Sequence, residues 1–232
     1  MTKNMEIIKG RLSPEYWYGL KLTIALISLF LSLFVFSAVS YDFSDIGFLY
    51  HSDHWVHLIV GEVVTPSITI MMKGITFLGS KEFIWGTAAL IFVYLLLKKE
   101  WWYIFPLVMS IGGTETIMSF LKEFFHRPRP MPQIVPAAGY SFPSGHAFYA
   151  MLVYGFMIYL AWKFIRNSGL RRLIFILCPL LILLIGLSRI YLGVHWLTDV
   201  LGGYCAGYSW LLINILVVRI IRHYWEGEEV RN

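Results

Sequence analysis

Two connections between apolar segments carry the residues in this sequence that could do chemistry. They span 122–146 and 188–199 and hold cations, histidines and one acid: Lys122, Arg127, Arg129, His146, Arg189, His195 and Asp199. Clustered cations repel one another in an empty site, so they indicate a multiply charged anion as ligand. Phosphate fits this set, because arginine offers forked donors to its oxygens and lysine supplies a point charge.

The stretch Pro143-Ser144-Gly145-His146 comes immediately before an apolar run that we predict to be helical. A helix N-terminus presents free N–H groups and the positive end of the helix dipole. Gly145 would let a ligand approach the backbone closely, and Ser144 adds a hydroxyl. This stretch therefore predicts an anion-binding cradle.

His195 and Asp199 are four residues apart, which would place them on one face of the last predicted helix. A carboxylate that holds one ring nitrogen fixes the tautomer and leaves the lone pair of the other nitrogen pointing outward. Such an imidazole can attack phosphorus directly. His146, at the edge of the predicted cradle, could then protonate the leaving oxygen.

The same histidines and aspartate could instead bind zinc. A divalent cation next to Lys122, Arg129 and Arg189 would be repelled, so we predict neither a metal nor another cofactor. Three earlier histidines have no further ligand at metal spacing and are interpreted as interfacial residues: His51, His54 and His57.

The composition is that of a membrane protein. Of the 232 residues, 58% are hydrophobic and 14% are charged, against about half and about a quarter in soluble domains. The net charge of +5 does not indicate nucleic-acid binding, because the basic residues lie between apolar runs rather than in one patch. Cys178 and Cys205 lie in apolar stretches and are interpreted as thiols without a disulfide.

Six apolar runs approach the length of about 20 residues that a bilayer-spanning helix needs. They are 22–39, 83–97, 101–120, 147–163, 173–188 and 196–218. We therefore predict an all-α integral membrane protein, with one domain over 1–232 and six transmembrane helices in a bundle. Residues 41–80 mix charges, glycine and proline with apolar residues, which favours an extra re-entrant or interfacial helical segment over a seventh span.

The distribution of lysine and arginine predicts the orientation of these spans. With the N-terminus in the cytoplasm, 13 of the 19 basic residues fall on the cytoplasmic side. Two spans separate the two chemistry-bearing connections, so both lie on the opposite side. We expect a multi-pass protein of the plasma membrane, with both termini cytoplasmic and the site extracytoplasmic.

Three motifs, in order, resemble the signatures of the type 2 phosphatidic acid phosphatase superfamily. The first is Lys122 followed by six residues and Arg129-Pro130, the second is Pro143-Ser144-Gly145-His146, and the third is Ser188-Arg189, five residues, His195, three residues and Asp199. One such piece alone is a weak signal, but the three together are highly specific. They cover 122–199, and the six-span layout extends the resemblance over most of the chain.

The resemblance implies a metal-free phosphatase that forms a phosphohistidine. It makes His195 the nucleophile, Asp199 its orienting partner, and His146 the general acid and later the base for water. It assigns phosphate binding to five positions: Lys122, Arg129, Ser144, Gly145 and Arg189. Arg127 and His126 lie inside the first motif but outside its fixed positions, so their roles stay open.

These observations predict a membrane lipid phosphatase or diphosphatase whose substrate tail enters between helices. Undecaprenyl diphosphate, phosphatidylglycerol phosphate and phosphatidic acid are all candidate substrates, and the sequence does not separate them. The alternative is a membrane protein that binds or transports a lipid or an anion without hydrolysis. We expect the lipid phosphate and the bilayer as partners, with no nucleic acid and no obligate protein partner.

Overall fold

The computed structural model describes residues 20–41 and 48–229. Within these ranges the chain forms eight α-helices and no strands. They are α1 (Leu20–Tyr41), α2 (Phe48–Glu62), α3 (Pro66–Phe77), α4 (Lys81–Leu97), α5 (Trp101–Phe125), α6 (Gly145–Phe164), α7 (Ser168–Tyr191) and α8 (Leu197–Glu229). The prediction of an all-α protein is confirmed.

Five of these helices are long and apolar enough to cross a membrane: α1, α5, α6, α7 and, as far as His223, α8. α4 qualifies only together with α3, from which it is bent by 41°. Backbone groups inside lipid must bond to one another, which is why these apolar runs are helical. Five of the six predicted spans are thus long and apolar enough by themselves, and α4 occupies the position of the sixth, 83–97. The protein is a multi-pass membrane protein.

The predicted extra helical segment before α4 consists of α2 and α3 over its described part. With 15 and 12 residues, each is shorter than the roughly 20 residues of a span. Thr65 caps α3 with its side chain, and Pro66 occupies the first turn. The Tyr191 hydroxyl, at the end of α7, accepts the Thr65 N–H at 3.2 Å and lies 3.0 Å from Thr69 Oγ1. These contacts fix α3 against α7.

α6 is the centre of the bundle, because ten of its 20 residues are buried and it packs against both α7 and α8. Two glycines of α8 face it. A Cβ at Gly203 would lie 2.5 Å from the Ser144 carbonyl oxygen, and one at Gly207 would lie 2.6 Å from the Phe148 carbonyl oxygen. Residues without side chains therefore let the α8 backbone approach the start of α6.

The outward faces of the spans are apolar. Large side chains remain exposed along them, for example Phe30 on α1, Leu90 on α4 and Ile176 on α7. Soluble monomers rarely expose continuous apolar surface of this kind. In a bilayer the acyl chains cover it, so these side chains form the lipid-facing surface.

The connection between α5 and α6 meets the connection between α7 and α8. The Ile134 N–H donates to the Leu192 carbonyl at 3.0 Å, and the Ser144 N–H donates to the Asp199 carbonyl at 2.9 Å. The two chemistry-bearing connections thus lie together at one end of the bundle, as the two spans between them require.

Candidate active site

His195 and Asp199 lie side by side, but not on one helix as predicted. α8 begins at Leu197, so Asp199 is in its first turn and His195 precedes it. His195 Nδ1 lies 3.4 Å from Asp199 Oδ2, and the same oxygen accepts the Trp196 N–H at 2.8 Å. The turn that this carboxylate closes before α8, rather than the pitch of a helix, brings the ring to the acid.

Arg129 lies against the other ring nitrogen of His195. Its Nη1 is 3.3 Å from His195 Nε2 and donates to the Val194 carbonyl at 2.6 Å. Its remaining donors bond to three backbone carbonyls of the α5–α6 connection, those of Ala138, Gly139 and Tyr140. A guanidinium can only donate, so Nε2 is the accepting nitrogen and Nδ1 carries the proton toward Asp199. A nucleophilic Nε2 requires this tautomer.

Burial keeps His195 neutral. Its side chain is 3% exposed and lies in the connection between two spans. Burial lowers its pKa from 6.5 to about 4; the Asp199 carboxylate opposes this shift, and the charges of Arg189 and Arg129 add to it. At neutral pH the imidazole therefore retains its lone pair.

Arg189 and Ser144 have buried polar atoms that no described residue satisfies. Arg189 Nη1 donates to Thr76 Oγ1 at 2.8 Å, but its Nε has no hydrogen-bond partner. Ser144 is fully buried at the N-terminus of α6, yet its hydroxyl caps no N–H group and also lacks a partner. Buried polar atoms without partners are uncommon and call for a bound water or ligand. An anion at the start of α6 would satisfy both.

The other sequence-predicted residues lie around the same N-terminus. Gly145 and His146 begin α6, where the first N–H groups have no intrahelical partner. Lys122 lies in the last turn of α5. Lys122 and His146 both lie close enough to Arg129 and Arg189 for those positive charges to act on them. The structure thus brings together all eight residues that the sequence analysis selected.

Arg127 belongs to the site as well, although the sequence left its role open. Its guanidinium is buried and donates to three oxygens, each at 2.6 Å: Asp199 Oδ1, Thr198 Oγ1 and Asp53 Oδ2. Sequence reasoning missed Asp53 and Thr198 altogether. The only signal for Asp53 was an acid within a segment that already carried several charges, and its burial distinguishes it from the exposed Glu62.

The remaining candidates from the sequence are three histidines of α2, a possible metal group and two cysteines. Among the residues that the structure describes, no three His, Cys, Asp or Glu side chains form a group that could hold a metal ion. The His54 ring lies on Trp196 with centroids 4.8 Å apart, and His57 Nε2 lies 3.2 Å from the Met131 carbonyl oxygen. Both cysteines are free thiols.

Comparison with known proteins identifies relatives of this chain. Phosphatidylglycerophosphatase B of Bacillus subtilis (strain 168) is 33% identical over 154 residues, which are 66% of this chain and 74% of the relative. A crystal structure of a transmembrane PAP2-type phosphatidylglycerolphosphate phosphatase from Bacillus subtilis superposes with a TM-score of 0.71 at 28% identity, covering 85% of this chain and 96% of that one.

Aquifex aeolicus LpxE shares the fold, with a TM-score of 0.56 at 24% identity over 70% of this chain and 94% of that one. The family model of the PAP2 superfamily matches residues 103–222, just over half of the chain and inclusive of all three motifs. This chain therefore belongs to the PAP2 superfamily.

Proposed function

We propose that this protein is a membrane lipid phosphatase that hydrolyses the terminal phosphate of a lipid phosphate or diphosphate. The observation that carries the proposal is the setting of His195, a buried neutral ring with Nδ1 toward Asp199 and Nε2 beside Arg129. Unsatisfied donors on Arg189 and Ser144 offer further bonds to a phosphate. Family membership and the similarity to phosphatidylglycerophosphatase B support the same activity.

In the first step, His195 Nε2 attacks phosphorus. Five residues hold the phosphate oxygens and offset their charge: Lys122, Arg129, Ser144, Gly145 and Arg189. The bond between Nε2 and phosphorus forms as the bond to the leaving oxygen breaks, and His146 donates a proton to that oxygen. The ring becomes a phosphorylated imidazolium, whose positive charge the Asp199 carboxylate stabilises.

In the second step, the now neutral His146 takes a proton from water, and the water oxygen attacks phosphorus. The bond from phosphorus to Nε2 breaks, its electron pair returns to His195, and inorganic phosphate leaves. No electrons are transferred to or from an outside group. The fixed cations of the site supply the positive charge that a metal would otherwise provide, so we propose that the reaction is independent of metal ions.

The proposed substrate is a lipid. Phosphatidylglycerol phosphate is the first candidate, because the two similar Bacillus subtilis proteins are phosphatases of that lipid. Undecaprenyl diphosphate and phosphatidic acid present the same terminal phosphate to the same donors. An apolar groove of about 320 Å³ between α4 and α5, lined by residues such as Trp85, Leu107 and Ile111, gives room for an acyl or prenyl tail.

We also propose that the site faces the extracytoplasmic side and that both termini are cytoplasmic. The support is the excess of lysine and arginine on the other side of the bundle. The helices between α1 and α4 and both connections of the site then share one side of the membrane. A single membrane-embedded domain over the whole chain remains our prediction.

A phosphate-release screen tests the proposal. Purified protein is offered the three candidate lipids in detergent with EDTA, alongside His195→Gln and the matched control His51→Gln on the exposed face of α2. We expect release in EDTA, inhibition by vanadate, and a loss of about 10⁴-fold or more in His195→Gln alone. Lipid binding without phosphate release from any candidate would support the binding or transport alternative, and an active His195→Gln would contradict the nucleophile assignment.

A further inference from the structure

We infer that Asp53 of α2 is a positioning residue for phosphoryl transfer. Through Arg127 and Thr198 it sets the position of Asp199 and the net charge of the buried cluster beside His195. The inference rests on the proposed phosphohistidine chemistry. Asp53 lies outside residues 103–222, the part of the chain that the family model matches, and none of the three motifs contains it.

Asp53 is the only buried residue among the 15 of α2. Its side chain is 1% exposed. Oδ2 accepts from Arg127 Nη2 at 2.6 Å and from Thr198 Oγ1 at 2.5 Å, and Oδ1 accepts the Thr198 N–H at 2.9 Å. A buried carboxylate is stable only when it is paired and bonded in this way, so the three bonds specify one position for α2 against the site.

Asp53 acts on the nucleophile through the start of α8. Thr198 lies in the first turn of that helix, where N–H groups lack intrahelical partners, and Asp53 supplies the acceptor from another helix. The next residue is Asp199, which contacts the His195 ring. Through this short chain of bonds, α2 fixes the part of the backbone that carries the orienting acid.

Asp53 also sets the charge beside the nucleophile. If Arg127 were paired with Asp199 alone, the two would cancel, and little negative charge would face the imidazolium that forms on His195. The second carboxylate gives the buried cluster of two acids and one guanidinium a formal charge of −1. Asp53 bonds to Arg127 and Thr198, and neither is among the five residues proposed to bind phosphate. We therefore expect its effect on the transfer step rather than on substrate binding.

The test is Asp53→Asn, which keeps the shape of the side chain and removes its charge. We expect kcat to fall by roughly 10- to 100-fold, the range for loss of an outer-shell partner, with KM changed by less than about threefold. In ¹⁵N-histidine NMR of the full protein, the titration midpoint of His195 should move to lower pH, because a nearby negative charge is lost. Glu62→Gln, at the exposed end of α2, should change neither quantity.

A second variant keeps the test decisive if Asp53→Asn does not fold, as judged by thermal unfolding. Thr198→Ala removes the hydroxyl between Asp53 and Arg127 but leaves both charges, and should lower kcat by roughly 3- to 10-fold, the value of one hydrogen bond. A folded Asp53→Asn with wild-type kcat and titration, or with its whole loss in KM, would overturn the inference, as would an unchanged kcat in Thr198→Ala.

The two proposals fail separately. A wild-type protein that releases no phosphate from any lipid contradicts the proposed function, whereas the NMR midpoint of His195 still reports whether Asp53 acts on that ring. A wild-type protein that releases phosphate while Asp53→Asn matches it in kcat and midpoint contradicts the positioning role alone.

Discussion

His195 has two properties that the proposed attack on phosphorus requires, and one contact that substrate must replace. Its ring is neutral because it is buried, its Nδ1 faces the Asp199 carboxylate, and its Nε2 lies 3.3 Å from the guanidinium of Arg129. Without substrate, Arg129 bonds the lone pair of Nε2. A bound phosphate has to displace Arg129 from Nε2 and accept its N–H groups, which would free that lone pair for attack.

We predict that His195 titrates near pH 4 in the folded protein. Burial lowers its pKa from 6.5 to about 4, so between these values the unfolded chain binds the extra proton and the folded chain does not. This histidine therefore reduces the stability of the fold as the pH falls through that window. ¹⁵N-histidine NMR, with the signal assigned through His195→Gln, measures the midpoint, and a value near 6.5 would refute the prediction.

The proposed role of His146 as general acid predicts a dependence on the leaving group. Loss of a general acid matters when the leaving oxygen is basic, so His146→Gln should slow hydrolysis of an alkyl phosphate by roughly 10²- to 10⁴-fold. An aryl phosphate with an acidic phenol needs no such proton, so phosphohistidine formation from it should slow far less. Rapid-quench kinetics with both esters compares the two rates. Equal losses on both would show that His146 is not the proton donor.

At the level of helices, the short elements α2 and α3 hold the buried cations of the site. Asp53 of α2 bonds Arg127, and Thr76 of α3 bonds Arg189. Neither short helix supplies a residue of the three motifs. Their position explains why the chain needs ordered structure between its first and second spans.

The close packing of α8 on α6 predicts a paired glycine experiment. In Gly203→Ala the new Cβ would lie 2.5 Å from the Ser144 carbonyl oxygen and 2.9 Å from Ala147 Cβ, so α8 must move away from the cradle. We expect a loss of about 1–3 kcal/mol in stability and lower activity. Gly112→Ala on α5 meets no atom within 4 Å and should not lower stability. Thermal unfolding in detergent compares them, and equal stability would contradict the packing.

For the whole molecule, the separation of an apolar surface from a polar end determines how the protein sits in a bilayer. The exposed apolar side chains lie along the spans, whereas the buried charges gather where the two connections meet. Under the proposed function, a substrate would keep its tail in the membrane while its phosphate reaches the end of the bundle that holds His195.

The proposed orientation predicts opposite labelling of two cysteines. In a background without Cys178 and Cys205, Ala138→Cys in the exposed part of the α5–α6 connection should react with an impermeant maleimide on intact cells. Arg166→Cys, in the exposed connection between α6 and α7, should react only after the cells are opened. The reverse pattern would place the site in the cytoplasm.

The sequence by itself determined the class of protein and its family, and it predicted the spans and the candidate residues of the site. Span length depends on local runs of apolar residues, and the family depends on the order and spacing of three motifs. Both are properties of neighbouring residues, so no knowledge of packing was needed. One detail of the site was predicted wrongly. The sequence placed His195 on the last helix, whereas the turn closed by the Trp196 N–H and the Asp199 carboxylate places it before α8.

Only the tertiary structure decided which groups are the partners of these residues. Asp53 and Arg127 are 74 positions apart, and Thr76 and Arg189 are 113 apart. Which acid is buried against which cation depends on how α2 and α3 pack on the bundle, and no local pattern encodes that packing. A charge in α2 looks interfacial in the sequence, and its burial beside Arg127 makes it part of the site.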